Sequence, residues 1–302
     1  MPDLVKQLKA ACPDLDIREN VSLAPYTTMR VGGAAQYFAE PSGTEEIIEL
    51  VHQAQAFDMP VLVLGKGSNL IVRDGGVPGL TVHIGSRFAA VGLTSHQVIK
   101  AQAGVLLSQL SHFAHQHALS GLEFAAGIPG SLGGAIFMNA GAYGGEMSQV
   151  ITRVWSLTDD GVVERKADQL SFTYRHSAFM EDNQIILEAE VQLPEGDPER
   201  IGAAMAELNE RRREKQPLNY PSAGSFFKRP AGHFAGQLIE ACGLKGCSVG
   251  GAKISEKHAG FMINVGGATA SDILALMALV QEKVMSMTGV MLEPEPRIVG
   301  VD

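Results

Sequence analysis

The sequence is short of cysteine, of basic charge and of long apolar runs, and each shortage removes a class of protein. Three cysteines, Cys12, Cys242 and Cys247, are an odd number among 302 residues. They form no Cys-x-x-Cys pair and no Cys/His cluster at metal-ligand spacing, which argues against a disulfide framework and a metal site. Lys and Arg number 24 against 33 Asp and Glu, for a net charge of −9, so no positive field draws in nucleic acid or an anionic membrane surface. A small phosphate-bearing ligand remains compatible, because it needs only local backbone amides and a few cations. No uninterrupted apolar run reaches the ~18 residues of a membrane span, and the opening MPDLVKQLKAACPDLD carries acidic residues where a signal peptide would be apolar. The expectation is a cytoplasmic protein without internal repeats or low-complexity tails.

What is abundant is glycine, 34 residues or about 11% against the usual ~7%. Apolar residues at 45% and charged residues at 19% fit a globular chain, and the length suggests two or three domains at roughly 100–200 residues each.

The segment PSGTEEIIELVHQAQAFDMP predicts a helix, with Ser42 and Glu45 at capping-box spacing and Ile47, Ile48, Val51 and Phe57 recurring at helical intervals. VLVLG is a short buried strand, and LIVRDGGVPGLTVHIG gives two more around a glycine turn. From Val91 to about Leu193 strands dominate, including a hairpin about Asp160-Gly161. Asp197 and Pro198 open a new helix that turns Ile201, Met205 and Leu208 inward and stops before Pro217. The domain boundary is expected there, giving residues 1–197 (in two parts, about 1–88 and 89–197) and 198–302, with the last strand possibly returning to the first part. A late helix from Ser271 to Thr288 has Ile273, Leu276, Val280, Val284 and Met287 on one face and Gly289 as its C-cap.

The glycines cluster. Gly65-Lys66-Gly67-Ser68-Asn69 follows a buried strand, where backbone amides can turn inward as an anion nest; the strand-like residues after Asn69 disfavour a Rossmann loop. Seven glycines lie between Gly127 and Gly145, and Pro129-Gly130-Ser131 can open a short helix toward a phosphate. Thr27, Thr28, Arg30 and Gly32-Gly33 form a third amide-rich stretch. Tight turns and close packing of layers are the competing uses of these glycines.

In order, TTMRVGGAAQYF, LGKGSNLIVRDGGVPG, GIPGSLGGAIFMNAGAYGGE, SFTYRHSAF, SAGSFFKRP and LEPEPRIVG resemble the UDP-N-acetylenolpyruvoylglucosamine reductases (MurB family) of bacterial peptidoglycan synthesis, from about residue 20 to 300. The resemblance implies an α+β fold in which a FAD-binding domain of the vanillyl-alcohol-oxidase (PCMH) type is joined to a smaller α+β substrate-binding domain. It implies non-covalent FAD, NADPH as reductant, and UDP-N-acetylenolpyruvoylglucosamine as substrate, with no nucleic acid, membrane insertion or obligate protein partner. EVQLPEGDPERIGAAMAEL passes from strand to helix through a short connection, as in the members that lack a substrate-covering insertion.

By position the resemblance assigns FAD contacts to Arg30, Val31 and Gly32, to Gly65, Lys66, Gly67, Ser68, Asn69 and Leu70, and to Gly127, Ile128, Pro129, Gly130, Ser131, Gly134, Ala135, Asn139 and Gly141. It implies that Arg175 steadies the substrate carboxylate, a role suited to a planar guanidinium fork. Ser225 is implied as proton donor to C2 and Glu295 as the acid that works with the arginine. Tyr174, Lys228, Arg229 and Gln237 are implied substrate contacts. Many relatives have Asn at the position of Arg229. Glu293 and Ser222 are the rivals of Glu295 and Ser225, and Lys253, Ser255 and His258 are weaker candidates. A flavin oxidase of the same fold and a non-catalytic flavin- or nucleotide-binding protein are the alternative functions.

Overall fold

The computed structural model describes residues 5–7, 10, 13, 15–182 and 184–302; Cys12 and most of the opening segment lie outside them. The chain begins with β1 (Ile17–Ser22), β2 (Ala34–Ala39), α1 (Thr44–Ala56), β3 (Val61–Leu64), β4 (Leu70–Val72) and β5 (Val77–His83). Four of these strands form a sheet of order β1-β2-β5-β3. Helix α1 buries Ile47, Leu50 and Ala54; of the face read from the sequence only Ile47 is buried, Ile48 and Val51 being half-buried and Phe57, at the C-cap, exposed, because the buried stripe runs one position away from the one expected. Its cap differs: Gly43 is the N-cap, and the carboxylate of Glu46, not Glu45, accepts the Ser42 amide (2.6 Å) and hydroxyl (3.1 Å). The helix starts one residue later than the Ser42 signature implies, so the acceptor moves by one.

Then follow β6 (Val91–Ser95), β7 (Val98–Gln102), α2 (Leu107–Gln116), α3 (Leu132–Phe137), β8 (Gly141–Ala142), β9 (Gly145–Glu146), β10 (Ile151–Thr158), β11 (Gly161–Lys166), β12 (Ile185–Gln192) and α4 (Pro198–Lys215). An antiparallel sheet of order β11-β10-β12-β7-β6 organises this stretch. On one face Lys100 pairs with Glu188 (2.7 Å) and lies 4.3 Å from the Trp155 ring centroid, a cross-strand cluster of the kind that fixes register. The β10–β11 hairpin turns at Asp159-Asp160, closing with Thr158 opposite Gly161. Asp197 caps α4 as expected, its Oδ1 accepting the Glu199 amide at 2.9 Å.

The remaining elements are β13 (Ser222–Ser225), α5 (Ala235–Ala241), β14 (Ser248–Val249), β15 (Ala252–Ile254), β16 (Phe261–Asn264), α6 (Ala270–Thr288) and β17 (Arg297–Val299). Strands β13-β16-β15-β14 form a sheet, and β17 pairs parallel with β4. Ile273, Leu276, Val280 and Val284 of α6 join Phe226, Phe227, Ile239, Met262, Ile71, Met29 and Val31 in one core. Met287 does not; it is 61% exposed, because the last turn of α6 runs past that core.

Contacts divide the chain into two units, and neither is continuous. The first holds Phe38–Lys66 and Thr81–Arg212 with the described residues up to Ile17; the second holds Arg18–Tyr37, Gly67–Leu80 and Arg213–Asp302. This division differs from a single cut near residue 197. The pairing of β17 with β4 and the packing of Met29, Val31 and Ile71 into the late core bind early segments to the C-terminal one.

The N-terminus of α6 is closed by carboxylates. Thr269 and Asp272 form a capping box (3.0 and 3.1 Å), Asp272 also accepts the Gly251 amide at 3.1 Å, and Asp74 accepts the Ala270 and Ser271 amides, each at 2.8 Å, and the Ser271 hydroxyl at 2.6 Å. Burial pushes the Asp74 pKa up, but the Ser271 hydroxyl and the two amides outweigh it and hold it below the ordinary value. The Thr269 and Gly251 amides likewise lower Asp272. A carboxyl with a depressed folded pKa stabilises fully above its unfolded pKa of about 4, and the benefit fades as the pH falls through the folded value. Asp74→Ala is therefore expected to cost about 1 kcal/mol at neutral pH. Urea titrations at pH 7 and near pH 3 should show that difference shrinking in acid.

Candidate active site

In the first unit, the predicted cofactor segments converge. Gly65, just past β3, lies so close to Ser131 that a Cβ would stand 2.5 Å from the Ser131 hydroxyl oxygen, so the two glycine loops meet with only that hydroxyl between them. Lys66 beside it is exposed. Residues Gly127, Ile128, Pro129 and Gly130 lead to Ser131, the N-cap of α3. Pro129 and Gly134 are exposed, whereas Ser131 and Ala135 are buried. The opening amides of α3 are not all free: Leu132 donates to Val105 O (2.8 Å) and Gly133 to Ala103 O (2.9 Å). Gly133 serves packing, since a Cβ there would come 2.9 Å from the Ala103 Cβ. At Gly134 the nearest atom to such a Cβ, the Ser131 hydroxyl, is 3.7 Å away, leaving that backbone open.

Arg175 follows Tyr174 in a tight turn closed by reciprocal backbone hydrogen bonds between Thr173 and His176, each 3.2 Å. Its φ of +55° is left-handed, uncommon for a side chain this long. The guanidinium lies 5.2 Å from the Tyr174 ring centroid, and Nη2 donates to Gly141 O at 3.5 Å. Arg175 and Gly141 are thus neighbours, and Asn139 joins them by donating to Thr173 O at 3.0 Å, although more than thirty residues separate the two stretches in sequence.

One residue of this cluster escaped sequence reasoning. Arg212 on α4 is only 8% exposed; it donates through Nη1 to Gly127 O, and its Nε is buried without a hydrogen-bond partner. The signal was present: Ile201, Met205, Leu208 and Arg212 continue one helical face, so an arginine falls where the pattern demands an apolar residue. An unsatisfied N–H of a buried cation costs free energy unless something accepts from it. With the open backbone at Gly134, this donor set suits an anionic, diphosphate-bearing cofactor such as FAD.

The second unit carries the remaining candidate residues. Arg30, exposed and with φ +57°, precedes Val31, which is buried in the core, and Gly32, whose missing Cβ would meet the Val72 Cβ at 2.5 Å. Thr28 donates its amide to Gly67 O at 3.2 Å, and a Cβ on Gly67, at φ +63°, would stand 2.2 Å from Tyr26 O. Ser68 and Asn69 carry the chain to Leu70 at the start of β4. Asn69 donates through Nδ2 to Glu295 O (3.3 Å) and accepts the Arg297 amide at its own carbonyl (2.9 Å).

Glu295 is gripped from the other side too, its amide donating to Phe226 O at 2.9 Å. Phe227 bridges Pro294 and the Lys228 amide donates to Glu293 O (2.8 Å), so the segment carrying Ser225 runs antiparallel to that carrying Glu295. The structure separates the two acids: the Glu293 carboxylate is 71% exposed and 3.4 Å from Lys228 Nζ, whereas Glu295 is half-buried. It separates the serines as well. Ser222 is held through its backbone by Thr28, at 3.1 and 2.7 Å. Ser225 is exposed after a register shift in β13, where Gly224 at φ +77° lets the strand bulge and re-aim its last side chain.

Arg229 stacks 3.7 Å from the Phe234 ring centroid, and Gln237 is exposed on α5. Lys253 pairs with Glu256 at 2.6 Å. Ser255 accepts the Lys257 and His258 amides, and His258 Nδ1 accepts from Gly260 at 3.1 Å. Burial lowers the His258 pKa, so this is a neutral histidine bracing a turn. Among the described residues no metal-binding cluster occurs and no helix is long and apolar enough to cross a membrane.

The model of a FAD binding domain matches residues 35–166, and that of the UDP-N-acetylenolpyruvoylglucosamine reductase C-terminal domain matches 216–299. A UDP-N-acetylenolpyruvoylglucosamine reductase of Lactococcus lactis is 50% identical over 289 residues, covering 95% of this chain and 96% of its own. That of Agathobacter rectalis is 46% identical over 308 residues, covering 98% of each. The crystal structure of the Thermus caldophilus reductase superposes with a TM-score of 0.81 at 36% identity, covering 94% of this chain and 98% of that one. With identity this high running from one end of the relatives to the other, the chain belongs to the UDP-N-acetylenolpyruvoylglucosamine reductase family.

Proposed function

We propose that this chain is an NADPH-dependent, FAD-carrying reductase that converts UDP-N-acetylglucosamine enolpyruvate to UDP-N-acetylmuramate in bacterial peptidoglycan synthesis. The observation that carries the reading is the near end-to-end match to named reductases. A cytoplasmic setting suits an enzyme whose substrate and reductant are both nucleotides. The connection between β12 and α4 is only residues 193–197, which supports the class without a substrate-covering insertion. In functional terms residues up to about 197 hold FAD and residues 198–302 hold the UDP-sugar, in keeping with the two family models.

Bound FAD supplies a relay for hydride, from NADPH to C3 of the enolpyruvyl ether. The protein must then balance charge and deliver a proton to C2. Arg175 pairs with the substrate carboxylate as it becomes enolate-like; a fixed cation aimed at developing charge lowers the barrier. Glu295, its backbone held by Asn69 and Phe226, helps stabilise or protonate that intermediate. Ser225 gives its hydroxyl proton to C2 and recovers it from solvent, to which it is exposed. Tyr174, Lys228, Arg229 and Gln237 contact the UDP-sugar. The backbone of Arg30–Gly32, Gly65–Leu70 and Gly127–Gly141 receives FAD.

The absorption spectrum of the purified protein tests this directly. The flavin band should bleach on adding NADPH without air and return when UDP-N-acetylenolpyruvoylglucosamine is added. Reoxidation by oxygen with peroxide formed, and none by the UDP-sugar, would make it an oxidase. A flavin band that NADPH leaves untouched would make it a binding protein.

A further inference from the structure

The resemblance counts Asn139 among FAD contacts, but its amide is engaged inside the protein. The residue is 1% exposed, its Nδ2 donates to Thr173 O at 3.0 Å and its Oδ1 accepts the Ser148 amide at 2.9 Å. A donor and an acceptor are needed at the two ends of one short, planar group. Only asparagine provides both at this length, and the two partners fix which atom is oxygen. Thr173 opens the turn that carries Tyr174 and Arg175. Just past the turn, Ser177, fully buried, donates its hydroxyl to Phe137 O at 2.7 Å. Both ends of the turn are therefore tied to the stretch from Phe137, the last residue of α3, to Asn139 just beyond it.

Those ties matter because the turn is strained. Arg175 is left-handed at φ +55°, where glycine or asparagine is usual, and such a conformation persists only when its surroundings enforce it. The guanidinium reaches back to Gly141, two residues beyond Asn139, so one short stretch determines both the turn and the direction of its cation.

We infer that Asn139 is a positioning residue for Arg175: it holds the Thr173–His176 turn so that the guanidinium is already in place for the substrate carboxylate. The inference rests on the proposed role of Arg175 in the second half-reaction. It assigns Asn139 no part in binding FAD through its amide or in the reduction of FAD by NADPH.

A double-mutant cycle read by stopped-flow absorbance on the FAD-loaded enzyme tests it, together with the FAD dissociation constant. Asn139→Ala should keep FAD affinity and the rate of reduction by NADPH within about 2-fold, while slowing reoxidation by the UDP-sugar by about 10-fold or more. In Arg175→Ala the same substitution should add nothing, since groups that act as a unit are not additive. Additive losses, or loss of FAD affinity in Asn139→Ala, would overturn the inference. If Arg175→Ala alone leaves reoxidation unchanged, it is the assignment of Arg175 that fails. Should Asn139→Ala not fold, Ser177→Ala removes the other tie and enters the same cycle, where independence from Arg175 is again the overturning result.

Discussion

Ser225→Ala is expected to take up FAD and be reduced by NADPH as the parent is, and to be reoxidised by the UDP-sugar about 10²-fold more slowly or worse, the loss typical of removing a positioned general acid. The expectation follows from where the hydroxyl sits. The strand before it is fixed by Thr28 at Ser222, the core takes Phe226 and Phe227, and the bulge at Gly224 leaves Ser225 exposed between them. A serine is a weak acid in water, so its proton is transferable only where a hydrogen-bonded environment offsets the cost. Ser222→Ala, which leaves the backbone bonds to Thr28 intact, is the control and should be nearly silent. Equal reoxidation rates in the Ser225 variant and the parent would remove Ser225 from the mechanism.

Glu295→Gln should fall in the same half-reaction by a comparable ~10²-fold or more, because the amide keeps the shape of the side chain and loses its charge and proton. Glu293→Gln should change the rate little: that carboxylate is solvent-facing and pairs with Lys228, an exposed ion pair of the kind worth roughly 0–1 kcal/mol. A reversal of the two results would transfer the role to Glu293.

Periodicity foretold the helices well where one face is buried, as at Ile273, Leu276, Val280 and Val284, and it failed at Met287, where the helix outruns its partner. The motifs carry the proposed site residues, yet two of them do other work than position alone suggests. Asn69 and Asn139 spend side-chain hydrogen bonds on backbone carbonyls far away in sequence, and such long-range pairs leave no local pattern. Gly32 and Gly133 look like bare phosphate-binding backbone and are instead places where Val72 and Ala103 press in. Arg212 was legible in principle, as an arginine on an apolar face, and was hidden by standing among Arg211 and Arg213. Domain limits were the least legible, because a strand such as β17 finds its partner across two hundred residues.

That distant pairing has a consequence for the order of assembly. Residues Arg18–Tyr37 and Gly67–Leu80 leave the ribosome early, but the partners that organise them, from Ser222 to Val299, come last. The first unit is complete once Arg212 is made, so during synthesis it can form while β4 still waits for β17, and Met29, Val31 and Ile71 for the late core, and unpaired edges and exposed apolar surface are what make nascent chains prone to misfolding. Closing such long loops slows folding. The segments proposed to touch FAD at Arg30–Gly32 and Gly67–Leu70 then gain their late packing partners only when β17 and the last core are made. A chain stopped short of β17 should hold its flavin poorly even though every assigned contact is already present.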